Sequence, residues 1–198
     1  MSDNEGRRAR KRQQTADQLA ETAWQLFESQ GYESVTMEAI AVAADVAKGT
    51  LYNHFPVKEA LLRHKFHREL QQKIPGILAE FAQLPTCRER LQTFMRLNAA
   101  WTEPRRAYVG HYLKFRMNEG SHHREGRSGM DRIFTALIEP GLTSGELRSD
   151  VPIGAVVHYI SHLYLGAMLR WLQTPGRRLA DEFELMLDLF FKGMESSS

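Results

Sequence analysis

Thr36-Met37-Glu38-Ala39-Ile40-Ala41-Val42-Ala43-Ala44-Asp45-Val46-Ala47-Lys48-Gly49-Thr50-Leu51-Tyr52-Asn53-His54-Phe55-Pro56 is the stretch that decides the fold. Thr36 carries the hydroxyl an N-cap uses, and the apolar spacing after it predicts a short helix running to about Ala44. A break at Asp45-Val46 follows. The segment 48–55 is then too short to stand as a helix alone in water, and Pro56 closes it. Helix, tight turn and short helix make the grammar of a helix-turn-helix, whose second helix enters the major groove of DNA while the first crosses the backbone. Ala41, Val46 and Leu51 fall on the seam between the two helices. Lys48, Thr50, Tyr52, Asn53 and His54 are left mostly outward, a donor-rich set for so short a helix.

Upstream, apolar residues recur at Leu19, Ala20, Ala23, Trp24, Leu26 and Phe27, the spacing of one helix face, until Gly31 supplies a stop. Before that helix lies the basic run Arg7-Arg8-Ala9-Arg10-Lys11-Arg12. Beside a helix-turn-helix it reads as a flexible arm for phosphate or the minor groove, against the plainer reading of a solvated tail. Downstream, a long helix starts at Lys58 and is expected to kink or break at Pro75-Gly76. Residues 88–101, 105–118, 130–144, 153–172 and 179–194 all carry helical periodicity. Turn signals at Pro85, Pro104, Glu119-Gly120-Ser121, 141–152 and Pro175-Gly176 separate them. No strand alternation occurs, so the fold is all-α. We divide it into an arm (1–14), a three-helix helix-turn-helix domain (15–57) and a larger helical domain (58–195).

Composition agrees with an ordinary globular chain: of 198 residues 42% are hydrophobic and 25% charged, neither disordered nor fibrous. A single cysteine, Cys87, rules out an intrachain disulfide and any multi-cysteine zinc site. The N-terminus shows no secretory signal. The longest apolar run, 163–169, stops at Arg170, far short of the roughly 20 residues a membrane helix needs. The chain therefore reads as cytoplasmic, with no membrane partner. A net charge of +2 says less than where the charge lies.

The stretch from Thr36 to Ala41, continued through Ala47-Lys48-Gly49-Thr50-Leu51-Tyr52-Asn53-His54-Phe55-Pro56-Val57-Lys58-Glu59-Ala60-Leu61, resembles the DNA-binding domain of TetR-family transcriptional regulators. The likeness covers about residues 15–62 and is nearly gapless. It implies DNA contacts at Thr36, Lys48, Gly49, Thr50, Tyr52, Asn53, His54 and Lys58. Thr36, Tyr52, His54 and Lys58 would hold phosphates, and Lys48 and Thr50 bases or phosphates. Asn53 is the best base reader, since its amide can pair bidentately with adenine, and Lys48 could reach guanine. Phe55 and Leu51 read as core. The family commonly has Gly where Asp45 stands and Ser or Thr at Ala47 and Val57. Ala47 and Val57 cannot cap with a side chain, at about 1 kcal/mol each, and Asp45 can occupy a left-handed turn at some cost.

The resemblance further implies a C-terminal helical domain for dimerisation and ligand binding. Helix 153–172 is apolar or small almost all round, so it needs cover on more than one side. We expect it to pair with helix 179–194 and their symmetry mates as a four-helix bundle through Val156, Ile160, Leu163, Gly166, Ala167, Trp171, Phe183, Leu187 and Phe190. Candidate effector residues are Tyr108, His111, Tyr112, Phe115 and Arg116, with His158 and His162 four apart on one helix side. An aromatic wall with polar anchors describes a pocket and equally a core, and Arg116 could instead pair with Glu119. His122-His123 reads as exposed. No metal site or cofactor is expected. The sequence-level function is a homodimeric repressor that a small-molecule effector releases from a near-palindromic operator on double-stranded DNA. Two alternatives stand beside it: a ligand-independent architectural DNA-binding protein, and a hydrolase using His158, His162 and Glu119 or Asp131. The hydrolase has neither a nucleophile elbow nor a phosphate loop to support it, so the chain is read as no enzyme.

Overall fold

The computed structural model describes residues 3–118 and 129–194. Glu119, the His122-His123 pair and the Ser196-Ser197-Ser198 tail lie outside the described residues. Among those described there are nine α-helices: α1 (Asp3–Gln30), α2 (Met37–Ala43), α3 (Lys48–His54), α4 (Lys58–Phe81), α5 (Cys87–Thr102), α6 (Arg106–Asn118), α7 (Met130–Thr143), α8 (Ile153–Gln173) and α9 (Leu179–Met194). A 3₁₀ turn, Glu103–Arg105, joins α5 to α6. The chain is all-α, with no strand among the described residues. None of these helices is long and apolar enough to cross a membrane.

Two expectations are corrected here. The part of the arm that is described, from Asp3 to Gln14, is helical, because α1 already begins at Asp3. Arg, Lys and Gln are good helix formers, and nothing stops the helix before Gly31, which adopts φ +82°. Of the kink or break expected at Pro75-Gly76, the break does not occur, since α4 runs through Pro75 to Phe81. Proline removes one N–H and so orphans the carbonyl four residues back, that of Gln71; both residues are exposed, so water can satisfy it.

The chain separates into two compact units: Met1–Leu70 with Gly110–His122, and Gln71–Val109 with His123–Ser198. The first unit thus runs past the expected boundary at 57 and takes in the second half of α6. Its core is built by Leu19, Ala23 and Phe27 of α1, Ile40 of α2, Leu51 of α3 and Leu61 and Leu62 of α4, all 1% exposed or less. Each large apolar side chain so buried contributes about 1.5–3 kcal/mol. A polar latch fastens α1 to α4, where Asp17 meets His64 at 2.6 Å and Arg68 at 2.9 Å. Burial alone would raise the Asp17 pKa, but the hydrogen bonds from His64 and Gln13 and the Arg68 charge outweigh it and hold the carboxyl below its ordinary value.

In the second unit α5 packs on α7 and α9, and α8 packs on both α7 and α9. An aromatic ladder crosses it, Phe94 to Phe134 (6.1 Å), Phe134 to Tyr164 (5.9 Å) and Tyr164 stacked on Phe183 (5.2 Å). Helix ends are capped by distant side chains. The Glu146 carboxylate accepts from the N–H groups of Cys87 and Arg88 at the start of α5. Glu103 does the same for Leu179 and Ala180 at the start of α9, and Arg106 donates to the carbonyls of Trp171 and Leu172 at the end of α8. These contacts satisfy terminal groups that a helix cannot pair within itself. Burial, with Glu146 nearby, pushes the Cys87 thiol up to about 12, an inert thiol rather than a nucleophile.

Candidate nucleic-acid interface and effector region

The interface is assembled from its caps inward. The Thr36 hydroxyl accepts from the Ala39 N–H at 3.1 Å and starts α2. The turn then closes with Val46 N–H on the Ala41 carbonyl at 3.0 Å, and Asp45 takes φ +53°. This is the left-handed position open to Asp at some cost. Ala47 makes no side-chain cap, so α3 begins on backbone geometry alone. Within α3 only Leu51 is buried, and Phe55 at its end is 5% exposed, so these two pin the helix to the core. Everything else on α3 faces outward or lies part-way.

Lys48, Gly49, Tyr52 and Asn53 are exposed, as is Thr36, while Thr50, His54 and Lys58 are half-buried. The structure therefore brings Lys48, Gly49, Tyr52 and Asn53 together on one outward surface. Lys58 stands apart, because its ammonium donates to the Tyr32 carbonyl at 2.8 Å and lies over the Tyr32 ring. One of its three N–H donors is spent on that carbonyl, which leaves two for a phosphate. Gly49 has open space where a Cβ would point, so nothing inside the protein requires a glycine there. His54 titrates below its ordinary value, chiefly through burial and then through the Arg12 and His64 charges.

Sequence reasoning missed Glu38 on α2. Its carboxylate lies 3.6 Å from the Lys48 ammonium and 3.5 Å from the Tyr52 hydroxyl, the outer limit of a hydrogen bond. One acid thus sits with two of the donors expected to take phosphate. No local pattern announces this, since the partners lie 10 and 14 residues away on another helix. Val42, 79% exposed on α2, is a second unforeseen surface residue.

The expected effector residues are divided between the two units. His111, Tyr112, Phe115 and Arg116 belong to the first unit and Tyr108 to the second. His111 lies against the Tyr32 ring (4.2 Å) and 3.2 Å from Glu33, the Tyr112 hydroxyl meets His67 at 3.0 Å, and Arg63 lies over Phe115. These contacts fasten α6 to α4 and to the α1–α2 turn. His158 and His162 are exposed on α8, with their rings 4.3 Å apart. No group of three or more metal-ligating side chains occurs among the described residues. A polar pair that the sequence did not single out, Tyr164 donating to Asn98 at 3.0 Å, lies on the aromatic ladder.

The expected dimer residues need a correction too. Val156, Ile160, Trp171, Phe183, Leu187 and Phe190 are 5% exposed or less and Ala167 is 8% exposed, so all seven form the chain's own core. Only Leu163 and Gly166 of that set are exposed. The apolar side chains left uncovered on these helices are Tyr159, Leu163, Leu185 and Leu189. A helix that is apolar all round presents two candidate faces, and periodicity cannot say which one turns inward.

Residues 19–64 match the family described as bacterial regulatory proteins, tetR family, and residues 129–193 match the C-terminal domain of TetR/AcrR family transcriptional repressors. The chain is 30% identical over 168 residues to the HTH-type transcriptional repressor KstR of Mycobacterium tuberculosis, covering 80% of this chain and 70% of that protein. It is 28% identical over 175 residues to the repressor DhaR of Mycobacterium sp. strain GP1, covering 83% and 86%. Among solved structures, FadR of Thermus thermophilus, a TetR-family repressor in complex with lauroyl-CoA, aligns with a TM-score of 0.79 at 26% identity, over 92% of this chain and 96% of that one.

Proposed function

The chain belongs to the TetR family of transcriptional regulators, ligand-responsive DNA-binding repressors, and from that premise we propose a homodimer that an apolar, acyl-type effector releases from a near-palindromic operator. One observation carries the DNA half of this reading. Leu51 and Phe55 anchor α3 from behind, which leaves Lys48, Gly49, Tyr52 and Asn53 as a single outward surface on a helix seven residues long. That is the shape of a recognition helix. Donors such as Tyr52 and Lys48 fix register on phosphates, and Asn53 offers an amide to a base edge.

The effector half rests on chemistry in the second unit. The ladder of Phe94, Phe134, Tyr164 and Phe183 gives an apolar wall, and Tyr164 with Asn98 supplies a polar anchor along it. That combination suits a long apolar ligand with one polar end, and the Thermus relative is seen with lauroyl-CoA. Both α4 and α6 contribute residues to both units, so they are the continuous helices through which binding would reach the helix-turn-helix. Coupling is then a population shift, bounded by the effector's differential affinity for the two states.

The partner face consists of Tyr159, Leu163, Gly166, Leu185 and Leu189 on α8 and α9. An isologous pairing there presents two α3 helices to half-sites about 34–36 Å apart. The test is selection of the purified protein against random duplex DNA at about 150 mM salt, where nonspecific binding is weakened. A near-palindromic motif is expected, with release from it on adding acyl-CoAs of graded chain length. Enrichment of no motif would overturn the reading, and a motif that no acyl-CoA disturbs would overturn the effector class alone.

A further inference from the structure

The basic run at Arg7 to Arg12 is a helix, and that changes what it can do. Five cations stand at Arg7, Arg8, Arg10, Lys11 and Arg12, and no acid occurs between Glu5 and Asp17. Residues 6–14 are all exposed, and the first buried residue of α1 is Ala16. Among the described residues none of the five cations meets a carboxylate within 4 Å. About 13 Å of exposed, cation-rich helix therefore precedes the first buried residue.

Its direction is set by the helix period. The stripe that packs inward through Ala16, Leu19, Ala20 and Ala23 continues back, in steps of three and four, to Arg12, Ala9 and Arg8. The Arg12 charge bears on His54, the last residue of α3, within the same compact unit.

The chemistry selects which anion. Four of the five cations are arginines, whose planar forks grip phosphate oxygens bidentately. A membrane-surface helix needs a large apolar face, and 6–14 offers only Ala9. Resting on the helix-turn-helix reading above, we propose that the N-terminal turns of α1 are a second DNA-contacting element: a rigid basic helix that grips backbone phosphates flanking the recognition-helix footprint. Its overhang matches the rise of about four base pairs.

The test uses the full chain and the selected operator duplex, in a long form with flanking base pairs and a form trimmed to the motif. Arg8→Gln/Arg12→Gln keeps helix propensity and takes away two guanidinium groups per protomer. On the long duplex it should weaken binding and flatten the slope of log affinity against log salt by about 0.9 for every phosphate no longer neutralised. On the trimmed duplex wild type and variant should bind alike, and the selected motif should be unchanged. Equal affinity and slope on the long duplex would overturn the proposal, as would an altered motif, which would mean base reading. Gln13→Pro retains all five charges while breaking the helix. Weaker binding by this variant is expected, and unchanged binding would show that rigidity has no part. If wild type selects no motif, the helix-turn-helix reading itself fails, an outcome distinct from the others.

Discussion

At the scale of single residues, Gly49 separates two reasons for having a glycine. In a helix interior glycine costs about 0.5–1 kcal/mol against alanine, yet here a Cβ would meet nothing within 4 Å. The cost therefore has no return inside the free protein and points to close approach by a ligand's backbone. Gly49→Ala should raise the thermal midpoint slightly while weakening operator binding by about tenfold, or 1.4 kcal/mol. Melting and DNA titration of the one variant check both signs, and unchanged affinity would remove Gly49 from the interface. His67 is the residue that makes stability depend on acid. Burial, then the Arg116, Arg63 and His64 charges, push its pKa down to about 3, while the Tyr112 hydroxyl meets its ring. Unfolded, the imidazole takes a proton below about pH 6.5; folded, it stays neutral down to about 3. Its stabilising contribution is thus complete above pH 6.5 and declines as pH falls through that window, by at most about 1.4 kcal/mol per unit. His67→Gln keeps a hydrogen-bonding partner for Tyr112 and cannot titrate. Its melting temperature should fall less between pH 6.5 and 5 than that of wild type, and parallel curves would clear His67.

Helices show where sequence patterns are legible and where they stop. The turn at Asp45 and the uncapped start of α3 were legible through the resemblance, in which Gly commonly stands at 45 and Ser or Thr at 47, because each rests on what one side chain permits its own backbone. The helical start of α1 was not, since a polar run without an apolar face reads as tail even when a nucleated helix simply propagates through it. Nor was the Glu38 contact with Lys48 and Tyr52, which exists only once two helices are packed. On α8 and α9 the pattern shows that two faces are apolar without assigning them. There the variants part sharply. Leu163→Glu/Leu189→Glu changes two exposed side chains and should give a folded monomer by sedimentation, with only a small drop in melting temperature. Phe183→Ala, at 1% exposure, should cost about 3–5 kcal/mol of stability instead. A stable dimer from the double variant would move the interface elsewhere.

Across the whole molecule, the chain visits each compact unit twice, which is why a single boundary near residue 57 could not describe it. The features that would join a DNA-binding surface to an effector site are not motifs but the two helices shared between units, and a local sequence window cannot register them. The cap contacts of Glu103 and Arg106 have a different consequence, in time rather than in space. The Arg106 guanidinium reaches carbonyls 65 and 66 residues ahead of it, and Glu103 reaches N–H groups 76 and 77 ahead. A nascent chain therefore carries this acid and this base, three positions apart, with no helix ends to receive them until residues 171–180 have been synthesised. The junction of α8 and α9 is therefore closed only after residues 171–180 have been made, and this part of the second unit cannot be completed before then.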